Sequence, residues 1–446
     1  MTAEAEGEKT WTEYMSQIYF GRKPPVLGTL YMDELEQRAK DKLKGYPSSF
    51  LYVFSSAGNC AADIGNRQEL AKWKIVPRML RDVTKRDLST TLFGVKHKAP
   101  VVVAPIGVQG LMHPDGELAT AAAARNVGLT YTMSNASSRS IESVAKANGD
   151  GHRWYQIYWP VDNDCTLSII NRAKTCGFSA LLVTLDTVVL GWRPHDLAKS
   201  YLPFWHGFGS QVGLSDPVFM AKHGEKPILD PPAFPYDSDR MDALYERGDE
   251  TVQRTVRLAT EWLKQTNSGQ FRTWEELKFL RDNWEGPLIL KGIMSVEDAE
   301  LALEYGVDGI VVSNHGGRQI EGAAPTIWAL KEICSSPKIR EAQANGKLTV
   351  LFDSGIRTGS DIIKAIAIGA QAVLRRWRLI RSFALTETMP LYSRSAIYVR
   401  VGCRWARRCG NGVELHAVRS GGHAGPIWLQ EHRRTSRKGG ESARED

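Results

Sequence analysis

Between Pro100 and Leu374 the chain repeats one pattern: a short apolar, β-branched run, a polar or glycine-containing turn, and in most cases a helical stretch. The runs are VVVAP at 101, LTYTMS at 129, WYQIYW at 154, ALLVTLD at 180, PLILKG at 287, GIVVSN at 309, LTVLFDSG at 348 and AQAVL at 370, eight in all. Near-continuous apolar strands belong in a parallel sheet covered on both faces. Eight strand–helix units predict a closed (β/α)8 TIM barrel rather than an open sheet. A doubly wound sheet would open its first unit with a GxGxxG phosphate turn. The turn here reads APIGVQG, which lacks that spacing. The expected fold is α/β, with the barrel over 100–374 and an N-terminal helical arm leading into it over 1–99.

Two segments elaborate this plan. In the arm, Met32, Leu35, Ala39 and Leu43 recur at helical spacing and predict an amphipathic helix over Met32–Leu43. After the fourth strand, residues 191–273 are too long for an ordinary connection. They hold Pro203, Pro217, Pro227 and the pair Pro231–Pro232, then a predicted helix, TVQRTVRLATEWLKQ. An insertion at that point lies over the barrel mouth, where active sites sit, so it reads as a lid or an oligomer contact, with a plain surface loop as the alternative.

The net charge of +7 raises the question of an anionic partner. Residues 375–446 carry 15 Lys/Arg against 6 Asp/Glu, whereas the rest of the chain carries 42 against 44. The basicity belongs to the tail, and the body shows no nucleic-acid footprint. The tail has no basic amphipathic helix or aromatic-interleaved basic run, so a solvated, disordered extension is expected rather than a tether to nucleic acid or membrane. No run approaches the roughly 18 apolar residues of a membrane span. The opening MTAEAEGEKT lacks the order of a secretory signal, and the closing ARED matches no address read by a receptor, so a cytoplasmic protein is expected, with peroxisomal residence left open. The six cysteines, Cys60, Cys165, Cys176, Cys334, Cys403 and Cys409, show neither CxxC nor zinc spacing and are expected to be buried or incidental thiols. No metal site is expected.

In such barrels, polar residues at the C-terminal strand ends are the candidates for chemistry. Those ends supply Gln156 and Tyr158, Thr184 and Asp186, Lys291, Ser313 and His315, then Asp353, Gly355 and Arg357. An imidazole, carboxylates, an ammonium and a guanidinium on one rim suit acid–base work on an anionic substrate. The densest cluster is SNHGGRQ, Ser313 to Gln319. Its glycines permit close backbone approach, and Arg318 can grip a carboxylate through two parallel hydrogen bonds.

SNHGGRQ resembles the active-site motif of the FMN-dependent 2-hydroxy acid oxidases and dehydrogenases. The resemblance runs from about Tyr52 to Leu374 through YVFSSAG, APIG, TMSNASS, WYQIYW, TLDTVVLGWR, LKGI and DSGIRTGSD, in family order. It implies FMN as cofactor and His315 as the base that receives the proton when the α-carbon is oxidised. Asp186 would pair with the imidazolium, and Arg193 and Arg318 would bind the substrate carboxylate. Tyr52 and Tyr158 would hydrogen-bond carboxylate or hydroxyl. Lys291 would place positive charge at the N1–C2=O edge of the flavin. Pro105, Ile106 and Gly107 would pass beneath the ring, Ser134, Gln156 and Thr184 would bond its edge, and Ser313, Asp353, Ser354, Gly355 and Arg357 would hold ribityl or phosphate. A simple ion pair between Arg193 and Asp186 is the competing structural reading.

Within that family, GWRPHDL followed by YLPFW, SDPVF and a long insertion most resembles lactate 2-monooxygenase. This implies oxidation of a small L-2-hydroxy acid, L-lactate first, with O2 as acceptor and acetate, CO2 and water as products; the family also tends toward homo-tetramers. The alternatives are an oxidase releasing a 2-oxo acid with hydrogen peroxide, or an inactive relative. The last arises because the family continues after strand eight with a Gly-Arg pair and a closing helix. Here AVL runs into Arg375–Arg376–Trp377, as if the reading frame had shifted or an exon were mis-joined. Half the phosphate grip would then be missing unless Arg376 substitutes, and strands one and eight would be left uncovered.

Overall fold

In a strand, alternate side chains point to opposite faces, so a closed barrel sends every second residue toward its axis. The computed structural model, which describes residues 11–25, 27–82, 87–375 and 417–419, shows this arrangement. Eight parallel strands close a barrel in chain order: β1 (Val101–Val103), β2 (Thr130–Ser134), β3 (Arg153–Ile157), β4 (Leu181–Thr184), β5 (Leu288–Ile293), β6 (Gly309–Val312), β7 (Thr349–Phe352) and β8 (Ala372–Arg375). All eight coincide with the apolar runs of the sequence. Closure is made where Leu374 of β8 registers with Val102 of β1.

The alternation divides the apolar residues between two cores. Val102, Trp154, Leu182, Ile289, Val311, Leu351 and Ala372 fill the barrel interior. Val101, Val103, Met133, Tyr155, Val183, Leu290, Ile310, Val350 and Val373 face outward into the layer beneath the helices. The amino-terminal end is plugged by a hairpin, Thr90–Leu92 paired with Val95–His97. Its turn residue Phe93 meets Trp154 edge-on at 5.7 Å. A side chain at Gly309 would strike that ring, its Cβ falling 2.8 Å from Phe93. Trp154 is therefore a packing residue.

The expectation that strands one and eight stand uncovered is not met. Val101, Val103 and Val373 are buried in one cluster with Leu70 and Trp73, which the arm supplies, and with Ala121 and Ala124 of helix Glu117–Val127. Of the tail, Arg375 ends β8, and Ala417–Arg419 pairs antiparallel with Trp73–Ile75. Arg376 and the remaining expectations for the tail lie outside the described residues. So do Cys403 and Cys409; Cys60, Cys165, Cys176 and Cys334 are free thiols. No helix among the described residues is long and apolar enough to cross a membrane.

The arm helix predicted over Met32–Leu43 spans Met32–Lys42, and the insertion helix spans Glu250–Thr266. Asp249 starts the latter by accepting from Val252 N, supplying one of the bonds a helix start otherwise lacks. Its apolar stripe places Leu258 and Trp262 in the outer core beside Val212 and Phe219, also from the insertion. Phe219 meets the Trp262 ring edge-on at 5.1 Å. A Cβ at Gly213 would lie 2.1 Å from that indole, so a side chain there would displace the ring. The insertion is thus part of the hydrophobic core. Trp262→Ala should cost about 3–5 kcal/mol, the range for emptying a buried tryptophan site, read as a lower urea midpoint at an unchanged slope.

Candidate active site

The inward alternation that buries Val102, Trp154, Leu182, Ile289, Val311 and Leu351 places Ala104, Gln156, Thr184, Lys291, Ser313 and Asp353 two residues further along, at the C-terminal end of the same interior. Above them opens a cavity holding about 1650 Å³ of empty space, counted out to its open mouth. It is lined by Tyr52, Pro105, Ile106, Gly107, Ser134, Gln156, Tyr158, Thr184, Arg193, Lys291, His315, Arg318, Asp353, Ser354, Gly355 and Arg357. Of the residues singled out in the sequence, Asp186 and Ser313 do not line it and stand behind His315. The three elements expected to converge, the imidazole and two guanidinium groups, meet at one mouth.

His315 sits in an unusual turn. Its φ is +58°, and Gly316 and Gly317 follow at +68° and +75°. Glycine adopts this region freely, whereas a histidine held there stores about 1–3 kcal/mol of strain. A Cβ at Gly317 would also lie 2.5 Å from the Asp63 amide. Polar contacts hold the turn: Ser313 Oγ accepts from His315 N at 3.1 Å, Ser354 Oγ from Gly316 N at 2.9 Å, and Asn314 Oδ1 from Gly317 N at 3.1 Å.

This turn delivers His315 Nδ1 to within 2.6 Å of Asp186 Oδ1. The other carboxylate oxygen accepts from Lys291 Nζ at 3.1 Å. Thr187 Oγ1 donates to Asp186 Oδ1 at 2.8 Å and lies 3.1 Å from His315 Nδ1. Burial disfavours the Asp186 anion, but the His315 and Lys291 charges outweigh it and hold the carboxyl well below the usual range. Burial acts oppositely on His315. It drives the imidazole down to about 4, with Asp186 pulling it up and Lys291 pushing it down. Burial also disfavours charge on Lys291, yet Asp186 and Asp353 keep the ammonium raised. At neutral pH the site therefore holds a neutral imidazole between a carboxylate and an ammonium.

Across the mouth, Arg193 donates through Nε to the Arg318 carbonyl at 3.2 Å and through Nη2 to Gln319 Oε1 at 2.9 Å. Arg318 donates to the Ser55 carbonyl, and its guanidinium lies 5.6 Å above the Tyr52 ring. The competing ion pair between Arg193 and Asp186 is not formed, since Asp186 is engaged by His315, Lys291 and Thr187. Burial raises the hydroxyls of Tyr52 and Tyr158, the latter to about 12, so both are protonated donors at neutral pH.

Deeper in the cavity, Ser134 Oγ donates to Gln156 Oε1 at 3.0 Å, and Gln156 Nε2 donates to Thr184 Oγ1 at 2.9 Å. Gly107 lies so near the next loop that a Cβ would meet the Ala136 carbonyl at 2.7 Å. At the far end, Ser354 (φ +74°) and Gly355 (φ +80°) form a tight turn before Arg357. Arg357 is engaged from the arm: Asp33 Oδ1 at 2.5 Å and Glu36 Oε1 at 3.1 Å. Arg375 donates to its backbone carbonyl.

Several of these partners were not picked out in the sequence. Thr187 and Gln319 adjoin residues that were, so proximity to Asp186 and Arg318 was the available signal. Asp33 and Glu36 lie more than three hundred positions before Arg357 and carry no local signal at all. Among the described residues, no group of three or more His, Cys, Asp or Glu is placed to hold a metal ion.

Barrel, mouth and polar rim together fit a flavin-dependent oxidoreductase of 2-hydroxy acids. The profile of the FMN-dependent dehydrogenase family matches residues 39–378, and the chain belongs to that family, whose cofactor is FMN. An FMN-dependent α-hydroxy acid dehydrogenase, qulF, from Penicillium citrinum is 42% identical over 81% of this chain and 83% of its own length. An L-lactate oxidase from Lysinibacillus sphaericus is 36% identical over 76% of this chain and 78% of its own. A crystal structure of mandelate oxidase is 32% identical, with a TM-score of 0.62 over 84% of this chain and 95% of that one.

Because His315 has a lower pKa folded than unfolded, the unfolded chain binds more protons between about pH 6.5 and pH 4. Stability from the neutral ring is complete above the unfolded value and is lost as pH falls through that window. Urea titrations at stepped pH should show wild type losing roughly 2–3 kcal/mol more than His315→Gln on acidification across it. Parallel losses would show the ring to be solvated.

Proposed function

We propose that the protein oxidises a small L-2-hydroxy acid, L-lactate first, with O2 as the final acceptor. The observation that carries the reading is the 2.6 Å contact between His315 and Asp186, facing a cavity that Arg193 and Arg318 also line. The cavity suits the cofactor. Ser134, Gln156 and Thr184 would meet the ring edge, and Lys291 its N1–C2=O side. Pro105, Ile106 and Gly107 would floor the ring, where the approach of Ala136 leaves no room for a side chain at 107. Asp353, Ser354, Gly355 and Arg357 would hold the ribityl chain and phosphate, with Arg357 shared between phosphate and the arm, while Ser313, outside the cavity lining, holds the His315 turn.

FMN, when bound, supplies the two-electron acceptor. The chain's own residues would do the rest. Arg193 and Arg318 would bind the substrate carboxylate through charge-assisted hydrogen bonds, and Tyr52 and Tyr158 would donate to carboxylate or hydroxyl. His315, neutral at physiological pH, would receive the substrate proton as the α-carbon is oxidised. Asp186 would stabilise the resulting imidazolium and fix the ring through Nδ1.

A lactate 2-monooxygenase outcome requires the 2-oxo acid to stay bound while oxygen is consumed. The insertion favours retention, because its Phe204 and Leu263 line the cavity. L-Lactate and O2 would then give acetate, CO2 and water. The likeness to L-lactate oxidases supports the other outcome, release of pyruvate and hydrogen peroxide.

Anaerobic mixing of the yellow holoprotein with L-lactate should bleach the flavin, and product analysis in air should separate acetate from pyruvate with peroxide. His315→Gln should slow bleaching by about 10²–10⁴-fold, the usual contribution of a general base. A variant bleaching at the wild-type rate would remove His315 from the role, and a protein purified without flavin would favour the inactive relative.

A further inference from the structure

Asn66 does not line the cavity, and the chemistry proposed above leaves it without a role. It belongs to helix Ala61–Lys72 of the arm and is 1% exposed. Its carboxamide faces that of Asn314, the residue before His315, in a closed pair. Asn66 Nδ2 donates to Asn314 Oδ1 at 2.9 Å, and Asn314 Nδ2 donates to Asn66 Oδ1 at 2.9 Å.

Three further hydrogen bonds tie the pair to its surroundings. Asn66 Oδ1 also accepts from Thr326 N at 3.1 Å, and Asn314 Nδ2 also donates to the Ala324 carbonyl at 3.1 Å. Asn314 Oδ1 accepts from Gly317 N at 3.1 Å. Asn66 thus reaches, through Asn314, both sides of the left-handed segment containing His315. Histidine adopts positive φ only as a minority conformation, so its turn must be held by contacts around it. Removing one amide of a buried pair leaves the other with unpaired groups, which makes such a contact a strict one.

We propose that Asn66 is a positioning residue for His315: its carboxamide, acting through Asn314, fixes the turn that aims the imidazole into the cavity and keeps Nδ1 on Asp186. This rests on His315 being the base. Asn66→Ala keeps the Cβ against which Gly355 packs, at 3.1 Å from where a Gly355 Cβ would stand, and so spares the neighbouring turn. Asn66→Asp keeps the shape and removes the donor.

The test uses full-length holoenzyme with L-lactate in anaerobic stopped flow, beside a pH titration of the His315 ring by NMR on ¹³C-labelled histidine, assigned by the peak lost in His315→Gln. The NMR arm needs no turnover. Asn66→Ala should retain flavin at wild-type stoichiometry and spectrum while reduction slows by about 10–100-fold, the scale of an ångström-sized misplacement. The His315 midpoint should move away from about 4, because the ring, which Asp186, Lys291 and Arg193 face, would gain water, raising it, and loosen from Asp186, lowering it. Asn66→Ala combined with His315→Gln should be no slower than His315→Gln alone. The proposal is overturned by an unchanged His315 midpoint, by a double variant slowed by the full product of the two effects, or by loss of flavin or fold in both Asn66→Ala and Asn66→Asp. A slow His315→Gln beside a wild-type Asn66→Ala would overturn this proposal alone, whereas a wild-type His315→Gln would overturn the reading of the base.

Discussion

A buried ammonium, a half-buried carboxylate and a half-buried imidazole can share one small volume only if each offsets the desolvation of the next, and the mouth of this barrel is organised around that requirement. Lys291 and His315 converge on opposite oxygens of Asp186 at 3.1 and 2.6 Å. Taken singly, each group would meet a penalty that pushes it toward its neutral form. Taken together, they leave the carboxylate and ammonium charged and the imidazole neutral, which is the protonation state a base needs before substrate arrives. The strained turn at His315 and the close approach of Gly317 to the arm are the structural cost of bringing a sixth-strand residue onto a fourth-strand carboxylate.

The barrel supplies the geometry that makes this convergence inexpensive elsewhere. Every second residue faces the axis, so the same phase that puts Ile289 and Val311 in the interior puts Lys291 and Ser313 at its rim. A slip of one residue in any strand would exchange interior for exterior along its whole length. The polar rim and the apolar interior are two consequences of one register.

Much of this was legible in the linear text. The eight apolar runs are short but regularly placed, with proline only at their ends, so their strands were readable one by one. The rim residues follow from strand ends, and SNHGGRQ was dense enough to mark its turn. What resisted reading was contact between distant segments. Nothing near Asn66 announces a partner at Asn314, and nothing near Asp33 announces Arg357, because hydrogen-bond complementarity across hundreds of residues has no periodicity to detect. Coverage of β1 and β8 was misjudged for a related reason. The sequence pattern points to a helix after β8 as the cover, whereas the arm, far earlier in the chain, brings Leu70 and Trp73 to that side.

The plug formed by Phe93 against Trp154 has a consequence for traffic. With its floor stoppered by aromatic rings, the barrel is a vessel filled from the top. Whatever lies deepest must go in first, and a small molecule resting above it bars its departure. Residence of a lower guest would thus depend on occupancy by an upper one.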